Sequence, residues 1–293
     1  MPSHKPRILF VTSEAVFIPR GNENGDFFTA ADNGGFSSYL GRAVFELYNL
    51  GFDVCVAQPD YRRIFKNLSN RKPPPRARSI PANRVYLTKD RAFFYADYIF
   101  KNHSVDNLKI SIFHQREVFN HVIPEFEPDL IHSHDWMTGM VPAMAKEIGI
   151  PCLFTVQNPT TAKSLLSFVE DKGIDAALFW EYLYYDRYPL NYRETRASNP
   201  INFLLSGIFS ADYVFATNHV FLAKSKKKQG FLTKLPHWEL LKTKSNAGCV
   251  AFNPKQVKTQ AYIDIYMSML QQHWPQYKSD NYPFDSVVQI FRE

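Results

Sequence analysis

Apolar residues recur along the chain in short closed runs, separated by longer stretches in which they fall three and four positions apart. The first run is Ile8-Leu9-Phe10-Val11, entered through Arg7 and closed by Thr12-Ser13-Glu14. Residues 53–58 and 213–216 read the same way. Short apolar runs bounded by proline, glycine or polar residues mark strands covered on both faces of a parallel sheet. The clearest unit is the segment PDLIHSHDWMTGMVPAMAKEIGIPCLFTVQN, from Pro128 to Asn158. Leu130-Ile131 and Leu153-Phe154-Thr155-Val156 predict two strands. Between them Met140, Ala143, Met144, Glu147 and Ile148 follow a helical period, which Gly149 and Pro151 stop. This is a βαβ unit, and its repetition along the chain predicts an α/β fold: a Rossmann-like parallel sheet flanked by helices.

The remaining elements follow from the same rules. Residues 36–50 predict a helix whose buried face carries Phe36, Leu40, Ala43, Val44 and Leu47, with Gly51 ending it. Residues 60–84 are basic and proline-rich, which predicts an exposed extended loop. Val85-Tyr86-Leu87 and Phe93-Phe94-Tyr95 read as two short strands, and residues 108–124 as a helix with Leu108, Ile112, Phe119 and Val122 inward. His114 and His121 on that helix carry no assigned chemistry. Asn199 and Pro200 predict the cap and first turn of a helix running through Phe203, Leu204 and Ile208 to Ala211. At the tail Val257, Tyr262, Ile265, Tyr266, Met269 and Leu270 predict a long helix. The expected division is a main domain over residues 1–250 and a C-terminal helix and tail over residues 251–293.

Composition adds limits. At 293 residues and 45% hydrophobic, the chain can bury a full core. No apolar run is long enough to span a bilayer, and the N-terminus leads into a strand rather than a signal-peptide core, so a cytoplasmic protein with no membrane partner is expected. Cys55, Cys152 and Cys249 are too few and too scattered for a disulfide framework and are expected to be reduced. The net charge of +6 gathers in Arg71-Lys72 with Arg76 and Arg78, and in Lys224 with Lys226-Lys227-Lys228. Both runs read as solvated surface, and no nucleic-acid partner is expected.

In parallel sheets the carboxyl ends of the strands open onto a ligand crevice. His132-Ser133-His134-Asp135-Trp136 and Gln157-Asn158-Pro159-Thr160-Thr161 fall there. The first cluster has two readings, metal ligands or histidines hydrogen-bonded within the crevice. Strand alternation sends His132 and His134 to one face, and no third ligand cluster of suitable spacing accompanies them. Gly34-Gly35 at the start of a helix lets backbone amides approach an anion. Phe179-Trp180, Tyr182 and Tyr184-Tyr185 form an aromatic stretch suited either to stacking on sugar rings or to core packing.

These motifs together resemble a known family. PDLIHSHDWMTGMVP is similar to the HxHDWxxG signature of bacterial glycogen synthases and plant starch synthases, glucosyltransferases of the two-domain GT-B fold. SNPINFLLSGIFSADYVFATN is similar to the family segment in which a helix packs before a strand, so the resemblance runs over roughly residues 7–250. It implies glucosyl transfer from ADP-glucose to the non-reducing end of an α-1,4-glucan, with retention and with no metal or cofactor. Gly34 and Gly35 match the glycine pair that approaches the donor phosphates, while Asp32 stands where the family has lysine. Gln157-Asn158 stands where the family has His-Asn. The resemblance places Gly34, Gly35, Asp135, Trp136, Gln157 and Asn158 in the crevice. It also implies a second, nucleotide-binding domain that this sequence does not match, so an α-glucan acceptor and a separate chain supplying that domain are the expected partners. The rival reading is a glucan-binding remnant that catalyses nothing.

Overall fold

The computed structural model describes residues 5–19, 26–29, 36–69, 78–96, 105–157, 160–217, 249–252 and 259–274. In chain order, its first half holds β1 (Arg7–Val11), β2 (Phe17–Pro19), β3 (Phe27–Thr29), α1 (Phe36–Asn49), β4 (Asp53–Pro59), α2 (Arg62–Ser69), β5 (Ser79–Ile80) and β6 (Val85–Thr88). Next come α3 (Arg91–Phe94), α4 (Val105–Glu117), α5 (Ile123–Phe126), β7 (Leu130–His134), α6 (Val141–Glu147), β8 (Cys152–Val156), β9 (Lys163–Ser164) and α7 (Leu166–Glu170). The last are α8 (Tyr192–Ser198), β10 (Ile201–Asn202), α9 (Phe203–Ser210), β11 (Tyr213–Thr217), β12 (Cys249–Phe252) and α10 (Thr259–His273).

The main sheet has seven strands in the order β12-β11-β8-β7-β1-β4-β6, parallel throughout. From β1 the chain builds outward through β4 to β6, then crosses back to lay β7 on the other side of β1. The order therefore reverses between β1 and β7, and such a switch point opens a crevice at the strand ends. Alternate side chains divide two cores. Ile8, Phe10, Val54, Val56, Leu130 and Leu153 pack with α1 and α10, whereas Leu9, Val11, Cys55, Ala57, Ile131 and Cys152 pack with α5, α6 and the turn before α5. Cys55 and Cys152 are buried free thiols.

α10 follows the heptad-like spacing read from the sequence, with Tyr262, Ile263, Tyr266, Met267, Met269 and Leu270 buried. Ile265, expected inward, is only half-buried, and Val257 lies outside the described residues. Polar ties set the helix in place. Thr259 Oγ1 donates to Glu46 of α1, the Tyr39 and Tyr262 hydroxyls meet at 2.8 Å, and Trp274 Nε1 donates to the Asp129 carbonyl at 3.0 Å.

Four expectations need correction. Residues 62–69 are helix rather than extended loop, because Tyr61, Ile64, Phe65 and Leu68 fall three and four positions apart and turn one side of the segment into the core. Phe93-Phe94 belongs to a helical turn, not a strand, since the Asp90 side chain accepts from Ala92 N at 2.9 Å and caps it. The helix expected over residues 108–124 begins at Val105 and widens into a π-helical turn over Val118–Val122. That widening adjoins Pro124, which has no N–H for the preceding turn. Finally, α9 is capped by Asn202, whose side chain accepts from Leu205 N at 3.0 Å, and not by Asn199. Ile201 and Asn202 first pair with Ser164 and Lys163, which holds the chain extended for longer than the Asn-Pro signal suggests.

Among the described residues no helix is long and apolar enough to cross a membrane.

Candidate functional site

The crevice wall formed by β1 ends in Thr12-Ser13-Glu14. Thr12 N donates to the Ala57 carbonyl at 3.1 Å, extending the ladder one residue past the strand, and Glu14 N donates to Thr12 Oγ1 at 3.1 Å. The segment then turns away, held by Gln58, whose Oε1 accepts from Val16 N and Phe17 N at 3.1 and 3.0 Å. This leaves the Glu14 carboxylate half-buried at the start of α1, where Ser37 Oγ donates to it at 2.8 Å. Burial raises its pKa above the ordinary carboxylate value, and the Ser37 hydrogen bond opposes the rise. Sequence reasoning placed Glu14 at a strand end but gave it no role. Its pairing with the helix that follows Gly34-Gly35 was the missing signal.

β7 forms the opposite wall. His132 and His134 share a face, as alternation requires, with ring centroids 4.2 Å apart. His132 is fully buried. Its Nδ1 shares a 2.6 Å hydrogen bond with the Tyr266 hydroxyl of α10, and its Nε2 shares one of 2.7 Å with Thr155 Oγ1 of β8. Both ring nitrogens are therefore engaged by protein hydroxyls, which favours the hydrogen-bonded reading over the metal reading. His134 Nδ1 lies 3.2 Å from the Val11 carbonyl, an acceptor, so Nδ1 carries the proton. Burial keeps both rings neutral, lowering His134 to about 3 and His132 well below 6.5, with His134 depressing His132 further. Among the described residues no cluster of three or more His, Cys, Asp or Glu is placed to hold a metal ion. His114 likewise has a structural place, buried with Nδ1 2.8 Å from Thr88 Oγ1.

Immediately after β7 the backbone is strained. Asp135 has φ 59° and ψ 179°, a conformation open to glycine and costly for other residues. It is over-determined by its surroundings: Asp135 N donates to the Thr155 carbonyl at 2.9 Å, and the Asp135 carbonyl accepts from Thr138 N at 3.1 Å. Asp135 Oδ1 accepts from Gln157 N at 2.7 Å. The twist thus carries one carboxylate across to the end of β8 and brings together two residues predicted 22 positions apart.

Trp136 sits beside them but is buried in the core, edge-on to Phe203 at 6.3 Å, so it supports the crevice floor rather than facing a ligand. Gly139 explains itself here. A Cβ at that position would lie 2.0 Å from the Phe203 carbonyl oxygen, so α9 seats against the β7–α6 turn only on glycine. Gln157 is half-buried, and its buried Nε2 has no acceptor among the described residues. Asp32, Gly34, Gly35 and Asn158 lie outside the described residues.

A hydrogen-bonded relay therefore runs from the tail helix to the crevice: Tyr266 to His132, His132 to Thr155, and from the Thr155 carbonyl through Asp135 to Gln157. Its participation was not legible in the sequence, because Tyr266 reads as an apolar-face residue at helical spacing.

A parallel sheet of this order, with HxHDWxxG at its switch point, defines a Rossmann-like domain of the GT-B glycosyltransferase class. Residues 7–222 match the family model described as the starch synthase catalytic domain, and the chain belongs to that family. Among its relatives, glycogen synthase of Geobacillus thermodenitrificans is 31% identical over 153 residues, covering 44% of this chain and 31% of the relative. Glycogen synthase of Syntrophotalea carbinolica is 25% identical over 237 residues, 68% of this chain and 45% of the relative. The catalytic domain of starch synthase IV from Arabidopsis thaliana, solved with ADP and acarbose, superimposes with a TM-score of 0.53 at 13% identity. That match covers 86% of this chain and 52% of the solved one and shows a shared fold. The chain spans between about a third and a half of the length of these proteins.

Proposed function

We propose that this chain is the acceptor-side domain of a glucosyltransferase that extends an α-1,4-glucan from ADP-glucose with retention at the anomeric carbon. In that reaction the bond from the anomeric carbon to the diphosphate oxygen breaks, the acceptor hydroxyl oxygen bonds to that carbon, and the hydroxyl proton leaves. The observation that carries the reading is the Asp135–Gln157 pair, held at the switch point by a strained backbone within a family signature. Backbone strain concentrates where structure is committed to a site. The buried Gln157 Nε2 supplies a donor suited to a sugar hydroxyl. Glu14, held by Ser37 at the start of α1, borders the same crevice from the β1 side. The two buried free thiols fit a reducing, cytoplasmic setting.

Donor phosphates require basic contacts that no residue here is assigned to, so transfer depends on a second Rossmann-like domain in the same or a separate polypeptide. A second reading, glucan binding without transfer, is favoured by Gln157 itself. Glutamine hydrogen-bonds a hydroxyl but carries no proton or positive charge to a developing transition state. Incubating the chain with labelled ADP-glucose and glycogen separates the two, because transition-state stabilisation needs donor contacts as well as acceptor contacts. The chain alone is expected to retain glycogen and to transfer glucose only at background. Turnover that disappears in Asp135→Asn would establish the chain as a self-sufficient transferase. Failure to retain glycogen would overturn both readings.

A further inference from the structure

β6 is one edge of the main sheet, and its outer side pairs with no strand among the described residues. The Thr88 carbonyl accepts from Asp60 N at 2.9 Å and so points to the β4 side. Backbone groups alternate in direction along a strand, which turns the N–H and carbonyl of Leu87 outward. The Val85 N–H, also outward, is met by the Ala82 carbonyl. Beyond this edge lies a cavity of about 670 Å³ that runs the length of β6, from Ala82 to Lys89. It has a wall on each face of the sheet. Val122 and Glu125 stand on the side of the α5 core, and Phe27 of β3 on the side of the α1 core. Glu117 also lines it but is engaged by Arg116 at 2.8 Å, so the acidic rim is not an open cation site. An uncovered strand edge of this kind is a template for one more strand.

We propose that this groove receives the chain's own tail, with residues 286–291 adding to β6 as an eighth, parallel strand of the main sheet. Three observations select this occupant. The segment reads Ser286-Val287-Val288-Gln289-Ile290-Phe291, a run of β-branched and aromatic residues without proline or glycine, set off by Pro283 and Asp285. Alternation puts Val288 and Ile290 on one face and Val287 and Phe291 on the other. Apolar residues on both faces suit a strand enclosed between two walls, as β1, β4, β7 and β8 already are.

The tether has the reach and the direction. Trp274 at the end of α10 donates from Nε1 to the Asp129 carbonyl at 3.0 Å, and Asp129 N donates to the Arg7 carbonyl at 2.8 Å, so the tail departs from the amino ends of β7 and β1. β6 lies three strands from β7, about 14 Å across the sheet. Residues 275–285 span up to about 36 Å when extended. A chain arriving from the amino ends enters the groove at Ala82 and runs toward Lys89, parallel to β6. The four residues of β6 offer about 13 Å of edge, which a strand of this length covers. Attachment to the same polypeptide gives the segment a high effective concentration at the groove, which a free peptide lacks.

Hydrogen–deuterium exchange read by mass spectrometry on the full chain tests the proposal. Ile290→Pro removes a ladder donor and bars the segment from a strand, whereas Ile290→Val keeps a β-branched side chain. Amides of β6 are expected to exchange about three- to tenfold faster in Ile290→Pro, the effect of losing one or two ladder hydrogen bonds. Ile290→Val is expected to match wild type, and an excess of a synthetic peptide of residues 284–293 to restore slow exchange to Ile290→Pro. Equal exchange of β6 in wild type and Ile290→Pro overturns the proposal. So does a difference that falls on β12, the opposite edge, or one spread evenly over β1 and β7, because a strand added at β6 protects β6. Protection of β6 that is lost on dilution of the wild-type chain would mean that a second copy supplies the strand, and it overturns the assignment to the chain's own tail.

Discussion

Asp135 joins two costs at one residue, a backbone conformation that favours glycine and a carboxylate that must reach Gln157 N. The two are separable by substitution. Asp135→Ala keeps the unfavourable φ and loses the acceptor, whereas Asp135→Gly loses the acceptor and relieves the strain. The glycine variant is therefore expected to be more stable than the alanine variant by about 1–3 kcal/mol in urea unfolding. Equal stabilities would mean that the positive φ stores nothing. At the neighbouring position Gln157→His restores the residue type the family uses beside the reacting sugar. In a system complemented with a donor-binding domain it is expected to raise glucosyl transfer, and Asp32→Lys, which restores the charge that the family resemblance implies beside the donor phosphates, is expected to act in the same direction. Initial rates with labelled ADP-glucose measure both, and unchanged rates in the two variants would overturn the roles that the family resemblance implies for Gln157 and Asp32.

At the scale of elements, the central βαβ unit was legible because its apolar runs, glycine stop and strand-end polar cluster agree with one another. The tail helix was legible from spacing alone, but its purpose was not. Its tyrosines read as core side chains, and only the fold reveals that their hydroxyls complete polar partners on α1 and β7. The helix over residues 62–69 was hidden for the opposite reason, as its basic, proline-flanked composition masked two apolar residues that bury beside β2 and α3. Crevice contacts such as Asp135 to Gln157 depend on one unusual dihedral, which no periodicity encodes. Tyr266→Phe tests the tail's polar tie. The ring still fills its place, but His132 Nδ1 loses the Tyr266 hydroxyl in a fully buried setting. An unpaired buried group costs about 1–3 kcal/mol, so the urea midpoint is expected to fall accordingly. A midpoint equal to wild type would show that another group satisfies His132.

For the molecule as a whole, three buried neutral histidines tie stability to pH. His114 and His134 fall to about 3 and His132 lies well below 6.5, in each case chiefly through burial. Between those values and the ordinary 6.5 the unfolded chain binds more protons than the folded one, so stability rises with pH across that window and is lost on acidification. Each histidine contributes at most about 1.4 kcal/mol per pH unit there. His114→Gln is expected to flatten the slope between pH 6.5 and 4, and a slope identical to wild type would exclude His114 as a source of acid sensitivity. The larger dependence is on the tail. α10 buries six side chains on the core it shares with β1, β4 and β7, besides its polar ties to α1 and β7. Their burial contributes on the order of 10 kcal/mol as an upper estimate, comparable with the whole net stability of a domain. Ending the chain at Phe252 keeps β12 but removes that cover, exposes the α1-facing core layer and strips His132 of Tyr266. The truncated protein is expected to lose its cooperative melting transition and to aggregate, as followed by differential scanning fluorimetry with light scattering. A truncated chain that melts as sharply and at the same temperature as the full one, and stays monodisperse, would make α10 a loose appendage and break the relay from Tyr266 to the crevice.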